Sequence, residues 1–157
     1  MHSPGILMSG EPGSSTKLFT VEEANAMLPL VRAITSDVVR LSREIVERRQ
    51  RLAVLSAGRK LTEGDPYGDE LLAGERDLHQ QISRLQEHLD ELTALGVECK
   101  GGPEGLVDFP SWMDGRVVYL CWQYNEPEIS HWHELDAGFA GRQSIGAATC
   151  SRDSAAS

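Results

Sequence analysis

The sequence predicts an α+β protein in which a long antiparallel helical hairpin, similar to a coiled coil, precedes a small antiparallel sheet of three or four strands. Two observations lead to this prediction. Apolar residues recur in a seven-residue a/d pattern in two segments between residues 31 and 92, which is typical of packed helices. Beyond residue 97 turn-forming residues recur, and seven of the nine aromatic residues lie between Phe109 and Phe139, which is typical of short strands.

The first helix is predicted to begin at the segment "TVEE". Thr20 is suited to cap the helix, and Glu23, three residues later, is suited to reach back to the cap. Pro29 has no amide hydrogen and is unfavourable deep inside a helix. We therefore expect a short leading helix and a new start near Leu28 or Pro29.

The two heptad segments predict the two arms of the hairpin. The segment "SAGRKLTEGDPYGD" separates them and contains several helix-breaking residues. Arg48 interrupts the first pattern and Glu75 the second, and Gly96 stands where a left-handed residue ends many helices. The a/d positions are Val31, Ile34, Val38, Leu41, Ile45, Leu52 and Leu55, then Leu71, Leu78, Ile82, Leu85, Leu89 and Leu92.

Charges on the two arms are of opposite sign. Residues 32–60 contain eight basic and three acidic residues, whereas residues 63–91 contain nine acidic and two basic ones. Opposite charges on facing helices favour their pairing, although most such charges serve as solvated helix flanks. A heptad hairpin also suits binding to a partner helix or to a second copy of the chain, so this is the partner class that the sequence suggests.

The composition excludes several classes of function. The net charge of −9 is unsuited to binding a nucleic-acid backbone or an anionic membrane surface. No apolar run approaches the roughly 18 residues that a membrane span needs, and the N-terminus does not look like a secretory signal. Three cysteines at unrelated spacings predict no disulfide framework, so a reduced, cytoplasmic location is expected.

Four regions are expected along the chain. Residues 1–17 and 147–157 are rich in small, polar or Gly, Ser and Pro residues, and both are predicted to be disordered tails. Residues 18–96 form the hairpin with its short leading helix. Residues 97–146 form a β-subdomain that packs with the helices, and its third strand, "RVVYLCWQY", is apolar on both faces and should therefore be central.

The Asp114-Gly115 pair fixes the first register of the sheet. A two-residue type I′ turn there pairs Met113 with Arg116, which places Asp108 directly opposite Cys121 on one face. The next connection leaves the register open. A three-residue loop brings His133 opposite Cys121 and a five-residue loop brings His131 there, whereas a four-residue loop turns both histidines to the other face.

Two of these three registers gather a carboxylate, a thiol and an imidazole, which are all ligands of zinc-class metal ions. Glu126 is close enough in sequence to add a further ligand, and Glu134 or Asp136 to orient one by a hydrogen bond. Arg142 is expected to pair with a carboxylate or with an anionic ligand. Residues 97–145 contain eight carboxylates and only three lysines or arginines, an imbalance that a divalent cation would relieve.

Other readings of the same residues are weaker. The segment "HEL" resembles the start of the zinc-protease motif HExxH, but Ala137 stands where the second histidine is required. Cys121 with His133 would suit a nucleophile and its base, yet a thiol in the apolar run "YLCW" is expected to have a raised pKa and little access. Cys121 is also a common kind of small core residue. Whether the protein is an enzyme is left open.

The segments "FTVEEANAMLPLVR", "GLVDFP", "LCW" and "WHELDAGFAGR" together resemble a bacterial family of uncharacterised proteins, domain of unknown function 2203. The resemblance covers roughly residues 18–145 and implies an α+β chain without an established activity. It favours His133 over His131, which lies outside the core of the motif. Asn125 departs from the family pattern, in which glycine is common at this position. The matching positions are Thr20, Glu23, Asn25, Pro29, Asp108, Cys121, Trp122, Glu126, His133, Glu134, Asp136, Gly138 and Arg142.

The sequence therefore favours a protein that binds a zinc-like divalent metal, with hydrolysis as a reaction class to test. The expected ligands come from His133, Cys121, Asp108 and Glu126. The alternative is a metal-free interaction or oligomerisation module built on the hairpin, in which the same polar residues form an internal ion-pair network.

Overall fold

The computed structural model describes residues 17–57 and 65–146 and contains two long helices followed by one antiparallel sheet. The predicted α+β fold with a helical hairpin is therefore confirmed. The helices are α1 (Val21–Ser56) and α2 (Pro66–Ala94). The strands are β1 (Glu98–Gly101), β2 (Leu106–Met113), β3 (Arg116–Gln123), β4 (His131–His133) and β5 (Gln143–Ser144). The predicted tails, except for Lys17, and most of the hairpin connection lie outside the described residues.

Helix α1 begins at the predicted capping box. The Thr20 hydroxyl accepts the amide hydrogen of Glu23 at 3.0 Å, and the Glu23 carboxylate accepts the amide hydrogen of Thr20 at 2.9 Å. The expected short leading helix is wrong, because α1 continues without a break through Pro29. Pro29 lies on the exposed side of α1, where water can hydrate the carbonyl group that loses its amide partner.

Helix α2 has clear chemical signals at both ends. The Asp65 side chain accepts the amide hydrogen of Tyr67 at 3.1 Å, and Pro66 occupies the first turn, where its missing amide hydrogen costs nothing. At the other end Gly96 has a φ of 92°, as predicted for a left-handed helix stop, and its amide donates to the Thr93 carbonyl at 2.9 Å.

The interruptions of the heptad pattern mark close or polar contacts between the arms. Near the exception at Glu75, the neighbouring Gly74 is buried, and a Cβ atom there would lie 2.6 Å from Leu52 Cδ2. Any larger residue there would require the Leu52 side chain to move, so glycine suits this close approach of the two helices. Arg48 donates to Gln81 at 2.8 Å and lies 3.7 Å from Asp77, so the opposite charges of the arms meet there.

The sheet has five strands in the order β1-β2-β3-β4-β5, so β3 is central as predicted. Asp114 and Gly115 both have positive φ, at 53° and 81°, which matches the expected type I′ turn and the pairing of Met113 with Arg116. The additional fifth strand is two residues long and pairs with β4. A strand of two residues is too short to show the alternation of apolar and polar residues by which strands are recognised in a sequence.

The two faces of the sheet have different surroundings. One face packs against the helices and contributes apolar side chains to the core, including Phe109, Leu120 and Trp122, which are fully buried. Because side chains alternate along a strand, the intervening residues Asp108 and Cys121 point to the opposite face. We call these the inner face and the outer face.

Candidate metal centre

Three predicted ligands meet on the outer face. Asp108 on β2 and Cys121 on β3 are directly opposed, as the register argument requires. His133 on β4 completes the group, and one potential ligand atom from each residue lies within 4.8 Å of the other two. All three residues are buried, with exposed fractions of 2%, 2% and 3%.

The register of β4 is one of the three that the sequence left open. His131 lies opposite Cys121 and His133 lies opposite Tyr119, which is the pairing of a five-residue loop. His133 nevertheless reaches the site because diagonal neighbours across a sheet are within range of long side chains. His131 instead lies 3.1 Å from the Ser130 hydroxyl and 3.9 Å from Glu126.

The imidazole of His133 is oriented by the main chain. Its Nδ1 lies 2.6 Å from the carbonyl oxygen of Glu134, and since a carbonyl oxygen only accepts, Nδ1 carries a hydrogen. Nε2 then faces Asp108 Oδ2 at 3.1 Å. These two atoms form a hydrogen bond when either of them carries a proton. Metal-binding histidines commonly show this arrangement, with one nitrogen donating to a carbonyl and the other free for the ion.

Burial sets the protonation of the other two groups. It raises the pKa of the Asp108 carboxyl, and this rise is opposed by His133. Burial, followed by the negative charge of Asp108, raises the pKa of the Cys121 thiol to about 12, although Arg142 acts in the opposite direction. Without a metal the thiol is therefore protonated at neutral pH. This agrees with the expectation that Cys121 is a poor nucleophile.

A short segment after β4 covers the site. At one end of this segment Glu134 forms an ion pair with Arg116. At the other end Arg142 donates to Glu126 at 2.7 Å and to the Cys121 carbonyl at 3.1 Å. We call residues 134–142 the covering segment.

Between the covering segment and the outer face lies a cavity of about 120 Å³. The three buried polar residues line it, so their ligand atoms face a space that is large enough for an ion and more. Its other walls are mainly apolar and include Leu106, Leu135 and Phe139. Lys100 also lines the cavity.

Glu126 is the predicted ligand that the structure does not bring into this group. Its carboxylate binds Arg142 and accepts the amide hydrogen of Gln123 at 2.8 Å. Burial alone would raise the pKa of Glu126, but these hydrogen bonds lower it overall. Arg142 thus pairs with a carboxylate, one of its two expected roles, and Glu126 holds the connection after β3 in place.

The two residues expected to orient a ligand differ in what they contact. Glu134 orients His133 through its main-chain carbonyl, while its carboxylate binds Arg116. Asp136 lies on the covering segment and is exposed. The orienting group is therefore a backbone atom, which a sequence pattern of side chains does not reveal.

Sequence reasoning also missed the walls of the cavity. Lys100 comes from β1, whose pairing with β2 includes an irregularity between Cys99 and Gly101 that no turn signal predicts. Leu135 and Phe139 lie in a segment of turns and one short 3-10 helix, so they have no periodic pattern. Their one signal was indirect, because both stand inside the segment "WHELDAGFAGR".

The donor set fits a zinc-class ion. Carboxylate, thiolate and imidazole are accepted together by zinc, and structural or catalytic zinc sites use three or four such donors. An ionised Asp108 and Cys121 would carry two negative charges, which balance one divalent cation in a buried site. The group thus has the chemistry, the burial and the proximity of a candidate metal centre.

Fold and site together define an α+β protein with a helical hairpin and a buried His/Cys/Asp group on its sheet. The sequence model of a family described as an uncharacterized conserved protein (DUF2203) matches residues 17–145. The chain belongs to this family, as the resemblance of its motifs indicated. No curated protein and no solved structure was found to match the chain. Within the described residues, neither helix combines the length and apolar character needed to cross a membrane.

Proposed function

We propose that this protein binds one divalent, zinc-class metal ion through Asp108, Cys121 and His133. The observation that carries the proposal is the convergence of these three buried side chains on one point beside a cavity. A buried carboxylate, thiol and imidazole add little to folding and are costly to desolvate, so a ligand is the simplest reason for bringing them together.

The orientation of His133 supports the same proposal. The Glu134 carbonyl fixes the hydrogen on Nδ1, so Nε2 is directed towards Asp108 and Cys121. A metal ion would bind between Nε2 and Oδ2. The imidazole would need no rotation to become a ligand.

Three protein donors leave one position of a tetrahedral ion open, and here that position would face the cavity. This is the donor count of catalytic zinc sites, whereas structural sites are closed by four protein ligands. A bound zinc ion supplies Lewis acidity and activates water. Hydrolysis is therefore the first reaction class to screen once metal binding is established.

The test is metal content, measured by plasma mass spectrometry after the untagged protein has been equilibrated with zinc and rinsed with a weak chelator. We expect close to one ion per chain in the wild type and a loss of the ion in His133→Ala and Cys121→Ala. His131→Ala is the matched control, because His131 lies on the same face and strand but contacts Ser130 and Glu126 instead.

A wild-type protein that retains no metal while folded would overturn the proposal. An equal loss in His131→Ala would also do so, since it would show that the uptake is not specific to the buried group. Circular dichroism of each variant establishes that the comparison is made between folded proteins.

A second candidate is a metal-free interaction module formed by the hairpin. Among the described residues, the core cluster that includes the sheet extends along α1 only to Val38 and along α2 only from Leu85. Beyond this region Val54 and Leu72 are more than half exposed, so the distal hairpin presents apolar side chains to solvent. Sedimentation of the wild type and of a Val54→Ser/Leu72→Ser double variant tests whether the hairpin mediates assembly. This candidate requires a concentration-dependent assembly that the double variant loses.

A further inference from the structure

The cavity beside the buried group has both polar and apolar lining. Asp108, Cys121 and His133 line it, and so do the apolar side chains of Leu106 from the sheet and of Leu135 and Phe139 from the covering segment. A molecule that fills this space would lie beside a metal ion and would also contact apolar side chains.

Two of the apolar residues that line the cavity are about half exposed, which is unusual for large apolar side chains without a ligand. Leu135 and Phe139 remain 54% and 45% exposed, although they lie at the mouth of an apolar cavity. The Phe139 ring is positioned by Arg142, whose guanidinium lies 4.7 Å from the ring centroid. Arg142 is in turn held by Glu126, so the aromatic wall is connected to the strand that carries Cys121.

The size of the cavity limits what it can hold. A cavity of ~150 Å³ lined by apolar side chains accommodates one benzene molecule. The 120 Å³ available here therefore suits a small molecule or a group of that size. A short hydrocarbon chain or a single small ring is the body that fits.

Charge indicates the head group. Asp108 and Cys121 would neutralise a divalent ion, and Lys100 is a basic residue that lines the cavity. The Lys100 ammonium lies 2.9 Å from Glu98 and 4.8 Å from the centroid of the Tyr119 ring, so it is already shared with one carboxylate. One shared ammonium suits a head group with no more than one negative charge, and the apolar walls disfavour a second charge in the cavity.

From this arrangement we infer that the cavity binds a small monocarboxylate, with its carboxylate on the open metal position and its hydrocarbon body between Leu135 and Phe139. The inference rests on the proposed function, because the head group is bound through the metal. It adds the class of ligand, which neither the family nor the donor set specifies.

The test uses full-length protein loaded with cobalt(II), whose visible absorption reports its coordination. Acetate, butyrate and succinate are titrated, and their dissociation constants are obtained from the change in absorption. We expect affinity to rise roughly fourfold for each additional buried methylene from acetate to butyrate. Succinate should bind more weakly than butyrate, because its second carboxylate would enter the apolar part of the cavity.

Variants then locate the binding. Leu135→Ala and Phe139→Ala should keep the cobalt absorption and the acetate affinity but lose most of the advantage of butyrate. Leu72→Ala is the matched control, because Leu72 is 56% exposed on α2 and does not line the cavity. It should behave as the wild type in all three titrations.

The outcomes separate the two proposals. If cobalt(II) does not bind, the proposed metal function is overturned and the carboxylate inference fails with it. If cobalt(II) binds but acetate and butyrate bind equally, succinate binds best, or Leu72→Ala reduces the butyrate advantage as much as Phe139→Ala, the carboxylate inference alone is overturned.

Discussion

Both faces of the sheet contain buried side chains, and these have opposite chemistry. The inner face supplies Phe109, Leu120 and Trp122, none of which has measurable exposure. The outer face supplies Asp108 and His133, which are 2% and 3% exposed. The inner face is covered by two long helices, whereas the outer face is covered at this point by a short segment of turns.

This difference separates residues that stabilise the fold from residues that the fold does not require. Each apolar side chain on the inner face contributes about 1.5–3 kcal/mol by leaving water. On the outer face burial disfavours the charged forms, as the raised pKa values of Asp108 and Cys121 show. Replacing a buried charged pair by apolar residues of similar volume is often neutral or stabilising, which is why we assign the outer group to binding.

The inner face should give the largest effect on stability. Phe109→Ala removes a fully buried ring that packs edge-on against Phe19 at a centroid distance of 5.3 Å. We expect a loss of about 3–5 kcal/mol in the free energy of unfolding, measured by urea denaturation. Variants that stay folded should still take up metal, because Phe109 points away from the outer face. A Phe109→Ala protein with wild-type stability, or a folded one without metal uptake, would break the distinction between the two faces.

Proton release on metal binding should give the next largest effect. The Cys121 thiol has a pKa of about 12 and so still carries its proton at neutral pH. This proton must leave before a metal ion is bound. The apparent zinc affinity should therefore rise with pH, by about tenfold per pH unit.

Competition with a chelator between pH 6.5 and 8 measures this dependence, and zinc addition in weakly buffered solution counts the protons directly. His131→Ala should retain the same slope, because His131 is outside the group. An affinity independent of pH would contradict the raised pKa of Cys121.

Local chemistry made much of the fold predictable. The capping box at Thr20, the helix stop at Gly96 and the turn at Asp114-Gly115 each depend on a few neighbouring residues, and all three are found as expected. The pairing of Asp108 with Cys121 followed from the turn alone. Pro29 was misjudged because the cost of a proline depends on whether the freed carbonyl reaches water, which a local pattern does not specify.

The site was harder to predict because it depends on distant parts of the chain. His133 reaches Asp108 diagonally across β3, and three registers of β4 were consistent with the same sequence. Glu126 was expected as a ligand because it is an acidic residue close in sequence, but its partner is Arg142, which arrives from the covering segment. The packing of the folded protein determines which of several possible partners such a side chain contacts.

Glu134 should give the smallest effect and the sharpest test of how His133 is oriented. Its main-chain carbonyl holds His133 Nδ1, whereas its carboxylate forms an exposed ion pair with Arg116. Since exposed pairs contribute little, Glu134→Gln should leave both the urea midpoint and the zinc affinity unchanged. Asp108→Asn is the contrasting variant, because it keeps the shape of the side chain but removes a charged ligand, and it should reduce zinc affinity strongly. If Glu134→Gln reduced zinc affinity as much as Asp108→Asn, the Glu134 carboxylate rather than its backbone carbonyl would be the group that supports the site. The binding group of the outer face would then include a residue at its exposed edge.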